Sequence, residues 1–75
     1  MTKVDSITVD RQLITIFEHD GLYWPAIERK NLVMPRLIIK GHPVAFSAAA
    51  LTSWSTGYKT IEEAKQNTWK VLPTN

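Results

Sequence analysis

Asp20-Gly21 stands between two runs rich in β-branched and aromatic residues, QLITIFE at 12–18 and LYWPAIE at 22–28. No other stretch narrows the possible folds as much. A two-residue type I′ turn needs positive φ at both central positions, and Asp-Gly is one of the few pairs that accept it. The two runs are therefore expected to form antiparallel strands joined by a hairpin. Pro25 cannot donate to a ladder, so the second strand is expected at a sheet edge, or bulged at that residue.

Arg29-Lys30-Asn31 breaks the pattern, and Leu32 to Ile39 is apolar around Pro35. A third strand is expected at Arg36 to Lys40, a turn at Gly41-His42-Pro43, and another extended or buried run from Val44-Ala45-Phe46. SAAALTSW, Ser47 to Trp54, reads either as a short helix capped by Ser47 or as a small-residue strand under the last helix. Alanine favours the helix, and the Thr and Ser that follow tip the reading towards strand.

Thr60 and Glu63 have the S/T-x-x-E spacing of a capping box, in which each side chain satisfies an orphan backbone donor of the first turn. The spacing predicts a helix from Ile61 to Leu72, stopped by Pro73, with Ile61, Ala64, Thr68, Val71 and Leu72 on one side. Glu62 and Glu63 at its start and Lys70 near its end complement the helix dipole. The expected architecture is α+β: an antiparallel sheet of three or four strands with one C-terminal helix across one face, the other face and an edge left open. The ends, roughly residues 1–5 and the tail Pro73-Thr74-Asn75, read as dispensable.

With 75 residues the chain has room for one small domain, 1–75, and with no cysteine it has neither disulfides nor a thiolate zinc site to staple it. Packing must supply the stability, and dimerisation or a permanent partner would add to it. The N-terminal MTKVDSITVD lacks the apolar core of a signal peptide, and no window approaches the ~18 apolar residues of a membrane span. A cytoplasmic protein that does not enter membranes is expected.

Gly57, Tyr58, Thr60, Glu63, Ala64 and Asn67, read as G-Y-x-T-x-x-E-A-x-x-N, resemble the closing strand-turn-helix of HicB-like antitoxin N-terminal domains. They are similar also to the same element of YegP-like small sheet domains. Both place a hairpin of the Asp-Gly type upstream, as Asp20-Gly21 does here. The resemblance covers about a third of the chain and implies a sheet of three or four strands with a helix packed across it. HicB-like proteins neutralise a partner toxin and often carry a separate DNA-binding segment, for which these 75 residues leave no room.

Motifs for catalysis are missing from the sequence. It has no G-x-S-x-G elbow, no cysteine nucleophile, no G-x-x-x-x-G-K and no G-x-G-x-x-G, and its 3 glycines are too few for a phosphate cradle. His19 beside Glu18 and Asp20 has ligand-type neighbours, but adjacent turn residues diverge, and a metal needs three or four convergent ligands. An acid-base pair of His19 and His42 would require the two turns to meet. No catalytic residue, cofactor or metal is expected, and the chain reads as a non-enzyme.

Charge is more informative. Residues 1–28 carry Lys3 and Arg11 against Asp5, Asp10, Glu18, Asp20 and Glu28, a balance of minus three, whereas from Arg29 to Ile61 every charge is positive. Tyr23 and Trp24 are adjacent on a strand, so their rings point to opposite faces and one looks away from the helix. Aromatic and arginine side chains dominate binding hot spots. The expected function is a small protein-binding module, an inhibitor or adaptor by analogy with the small inhibitors that phages and plasmids produce. It would dock through Tyr23, Trp24 and Arg29, with Arg36 and Lys40 steering towards an acidic patch. The alternative is a nucleic-acid-binding domain with Arg29, Lys30, Arg36, Lys40 and Lys59 on phosphates and Trp54 or Tyr58 stacking on bases.

Overall fold

The computed structural model describes residues 1–30 and 34–73; Asn31, Leu32, Val33, Thr74 and Asn75 lie outside them, and with them the start of the apolar run before Pro35 and the end of the tail. Five strands, β1 (Thr2–Val9), β2 (Gln12–His19), β3 (Leu22–Arg29), β4 (Arg36–Ile39) and β5 (His42–Ala45), form one antiparallel sheet in the order β1-β2-β3-β4-β5. Two helices follow, α1 (Ala48–Trp54) and α2 (Ile61–Gln66), and then a 3-10 helix at Thr68–Val71.

Three two-residue turns shape this meander, and all three have positive φ at both positions. They are Asp10 and Arg11 at 50° and 65°, Asp20 and Gly21 at 56° and 76°, and Lys40 and Gly41 at 56° and 82°. The expected hairpin at Asp20-Gly21 is therefore one of a set. Its neighbour at Asp10-Arg11 holds a side chain in the left-handed region at both positions, which costs ~1 kcal/mol or more at Arg11.

β1 adds a strand beyond the three or four expected, and residues 2–5 are part of it. Lys3 pairs with Glu28 at 2.7 Å and Asp5 with Lys65 at 2.7 Å, so the N-terminal segment is tied to both β3 and α2. Residues 2–5 are thus an ordered part of the sheet, not a loose end.

Side chains alternate along a strand, so Phe17 and Ile16 point to opposite faces. On the Phe17 face, the chain leaving β5 sets Phe46 edge-on against Phe17, with centroids 5.9 Å apart, and α1 then brings in Leu51, which is fully buried. On the Ile16 face, Ala64 of α2 and Tyr58 pack over Ile16. Both faces of the centre of the sheet are thus covered, which corrects the expectation of a single helix over one face. The part of the Phe17 face bearing Lys3, Ser6, Leu13, Thr15 and Glu28 forms only a shallow, polar depression.

Residues 48–54 are a helix, not the strand that the Thr and Ser cluster suggested. Ser47 accepts from Ala50 N at 3.1 Å as the cap, and the Thr52 hydroxyl donates back to the Ala48 carbonyl at 2.9 Å, so the polar residues bond within the helix. The C-terminal helix begins at its Thr60 cap, with Glu63 N donating to the Thr60 hydroxyl at 3.0 Å and Lys59 N to Glu63 Oε1 at 3.2 Å. It ends at Gln66 rather than Leu72. The Asn67 amide donates to the Glu63 carbonyl at 2.8 Å, and the last turn tightens to 3-10 geometry. Ala64, Thr68 and Val71 are still the buried residues, as the helical spacing implied.

Between α1 and α2 the chain passes from one face to the other around the outer edge of β3. β4 pairs only with Ile27 to Arg29, which leaves that edge free beside Tyr23 and Pro25. Tyr58 fills part of it, exchanging two 2.8 Å backbone hydrogen bonds with Tyr23. Pro25, two residues on, turns its ring nitrogen to the same outer side, so its missing N–H costs the ladder with β2 nothing. The Pro25 carbonyl accepts the Ser55 hydroxyl at 2.6 Å. At Gly57 the backbone lies on the Trp24 indole: a β-carbon there would be 2.8 Å from Trp24 Cζ2, so no side chain fits.

Candidate binding cleft

The vacated edge of β3 is only half filled by Tyr58, and what remains open is a pocket of about 290 Å³. Pro25 is part of its lining. Trp54 comes from the end of α1, Ser55, Thr56 and Tyr58 from the crossing segment, Trp69, Lys70 and Val71 from the 3-10 helix, and Lys40 from the β4–β5 turn. The bond from Lys40 N to the Val71 carbonyl, 2.7 Å, fixes the turn against the 3-10 helix and so holds the pocket's far wall in place.

The walls are aromatic. Trp54 is 43% exposed and Trp69 62% exposed, the most exposed of the three tryptophans, whereas Tyr58 is 8% exposed and forms a wall without a free face. The Tyr58 hydroxyl is buried and has no hydrogen-bond partner among the described residues. Trp54 leans on His42, ring centroids 5.4 Å apart. Lys70 Nζ lies 5.5 Å from the Trp69 ring centroid and 5.9 Å from that of Tyr58, within cation–π range. Among the described residues of the lining, Lys40 and Lys70 are the charged ones, and no carboxylate accompanies them. The cleft is therefore apolar on its walls and positive at its rim.

The expected site residues are divided by the fold. Tyr23 and Trp24 do face opposite ways, but both are half-buried and engaged: Tyr23 packs on Ile16 and pairs with Tyr58, and the Trp24 indole N–H donates to the His19 carbonyl at 3.0 Å beneath Gly57. Arg29 and Arg36 stand directly opposite one another in the β3–β4 register, away from the cleft. Lys30 and Lys59 are exposed, and neither lines the cleft. Lys40, Trp54 and Tyr58 are the ones brought together.

Trp69 and Lys70 were not among the expected site residues. A continuous helix to Leu72 sets Trp69 at the border of the packed face, and the 3-10 turn after Asn67 exposes it. Asn67 and Thr68 carried the signal, since short polar side chains compete for backbone hydrogen bonds and end helices. Thr68 Oγ1 donates to the Lys65 carbonyl at 3.3 Å.

Away from the cleft, the Lys65 ammonium bonded to Asp5 holds that carboxyl below its ordinary value of 3.8, aided by the Ser6 N–H. The same bond raises Lys65 above 10.5. His42 leans on Trp54 while His19 lies in the β2–β3 hairpin, and no group of three His, Cys, Asp or Glu residues suited to a metal exists among the described residues. No helix among them is long and apolar enough to cross a membrane.

No family model, curated protein or solved structure matches this chain.

Proposed function

We propose that this domain is a non-enzymatic protein-binding module, an inhibitor or adaptor that blocks or bridges a larger partner at the Trp54–Trp69 cleft. One observation carries the reading: two indoles, 43% and 62% exposed, flank one pocket whose charged lining residues, among those described, are lysines. Rigid aromatic anchors around a pocket are what binding hot spots are made of, and a positive rim favours an acidic partner surface and speeds encounter with it. The partner places an apolar side chain between the tryptophans and carboxylates near Lys40 and Lys70. The aromatic anchors move from Tyr23 and Trp24, which the fold engages, to Trp54 and Trp69.

A second reading has its own support. Lys40, Trp54 and Tyr58, three of the residues suited to a nucleic-acid contact, converge on this cleft from distant positions in the chain. A base would stack on Trp54 or Trp69 with its phosphate on a lysine.

Affinity capture from native lysate, with and without nuclease, separates the two when run beside the Trp54→Ala/Trp69→Ala variant. Under the first reading a stoichiometric protein survives nuclease and is lost with the double variant. Recovery that depends on nucleic acid and falls steeply with salt supports the second. Capture unchanged in the double variant removes the cleft from both.

A further inference from the structure

Arg29 and Arg36 are cross-strand partners in the β3–β4 register, so their β-carbons lie on the same face, the face of Ile27 and Ile38. Like charges placed directly opposite in a sheet repel. Among the described residues, no carboxylate forms an ion pair with either arginine. The ion pairs among the described residues are Lys3–Glu28 and Lys65–Asp5. Glu28, the acidic residue next to Arg29 in β3, points to the opposite face and is held by Lys3. β4 and β5 contain no acidic residue at all.

Arg29 borders a depression of about 240 Å³ in the sheet surface, with Gln12, Ile27, Ile38, Pro43 and Pro73 also in its lining, whereas Arg36 stands outside the lining, next to Arg29 on the same face. Gln12 has a side-chain amide able to donate, and the prolines and isoleucines make up the apolar part of the lining. Two forked guanidinium groups and an amide suit a tetrahedral oxyanion, and two positive charges with no ion-pair partner among the described residues match a dianion better than a single carboxylate. A phosphate monoester, or free phosphate, carries about −1.5 to −2 near neutral pH, whereas a phosphodiester carries only −1.

We propose that Arg29 and Arg36, with Gln12, form a seat for a dianionic phosphate group, separate from the tryptophan cleft and independent of what binds there. Occupation removes the repulsion built into the hairpin, so the ligand and the fold stabilise one another.

The test is thermal unfolding of the full chain in inorganic phosphate against sodium chloride at matched ionic strength, near neutral pH, beside amide chemical shifts over the same titration. In the wild type, phosphate is expected to give a saturable rise in the unfolding midpoint of roughly 5 °C, with shifts centred on Gln12, Arg29, Arg36 and Ile38. Arg36→Gln and Arg29→Gln should each lose the saturable part and, without phosphate at low salt, melt at or above the wild-type temperature because the repulsion is gone. Trp69→Ala should keep the full phosphate response. A linear, unsaturating rise shared by all variants would reduce the effect to general salt stabilisation and overturn the seat. So would a single-stranded thymidine oligomer shifting these residues when inorganic phosphate does not, because the ligand would then be a diester.

Discussion

Two pairs of aromatic residues in this molecule meet opposite fates. Tyr23 and Trp24 are consecutive on a central strand, and the chain's passage from one face of the sheet to the other is built on them: Tyr58 pairs with the backbone of one, and Gly57 lies on the ring of the other. Trp54 and Trp69 end a short helix and occupy a 3-10 turn, and no backbone of the described residues passes over either ring as Gly57 does over Trp24. The contrast teaches that aromatic content alone does not locate a binding surface in a small domain. What matters is whether the backbone has to pass over the ring.

The comparison can be broken by substitution, and the largest effect belongs to the consumed pair. Trp24→Ala removes the platform under Gly57 and the indole bond to His19, and should cost about 3 kcal/mol or more in chemical denaturation, a large part of a small domain's stability. Trp54→Ala and Trp69→Ala should each change stability by less than about 1 kcal/mol while weakening partner binding about 30-fold, measured by titration calorimetry on the captured partner. Equal stability losses at all three indoles would erase the distinction. Gly57→Ala forces a methyl group into the Trp24 ring and should destabilise by about 1–3 kcal/mol. Elsewhere in the sheet, Arg11→Gly relieves a left-handed backbone and should stabilise by roughly 0.5–1 kcal/mol in the same assay.

The smallest effect concerns the Asp5–Lys65 clasp, which joins β1 to α2 on the Ile16 face. Asp5 titrates below 3.8 in the folded chain, so its contribution is complete above that value and is lost as pH falls through the lowered one. Lys65 titrates above 10.5, so its side of the same contribution is complete below that value and is lost as pH rises through the raised one. Melting temperatures across this range should show a slight extra fall at the acid end that Asp5→Asn abolishes.

Much of the sheet was legible in residue order because glycine and proline mark it so strongly. Asp20-Gly21 announced β2 and β3, and Pro25 announced a stretch of β3 without a neighbour on one side, which is where the cleft opens. β1 escaped notice because its alternation of Asp5, Ile7 and Val9 is broken by the irregularity between Lys3 and Asp5, and because its turn, Asp10-Arg11, has no glycine. α1 was one of two readings, a helix capped by Ser47, and the strand was preferred because Thr52 and Ser53 look like breakers until the Thr52 hydroxyl is seen to bond within the helix. The cleft itself depended on tertiary events with no local signature: the crossing at Tyr58, and the 3-10 turn that carries Trp69 and Lys70 to face Trp54. The basic middle segment was visible as a run, but its division into an arginine pair and a cleft lysine followed from strand register.

The most direct test is the indole N–H spectrum of the labelled domain during titration with its captured partner. Trp54 and Trp69 should move and Trp24, bonded to His19, should stay in place. Movement of the Trp24 signal with the other two unchanged would contradict the division of labour among the three rings.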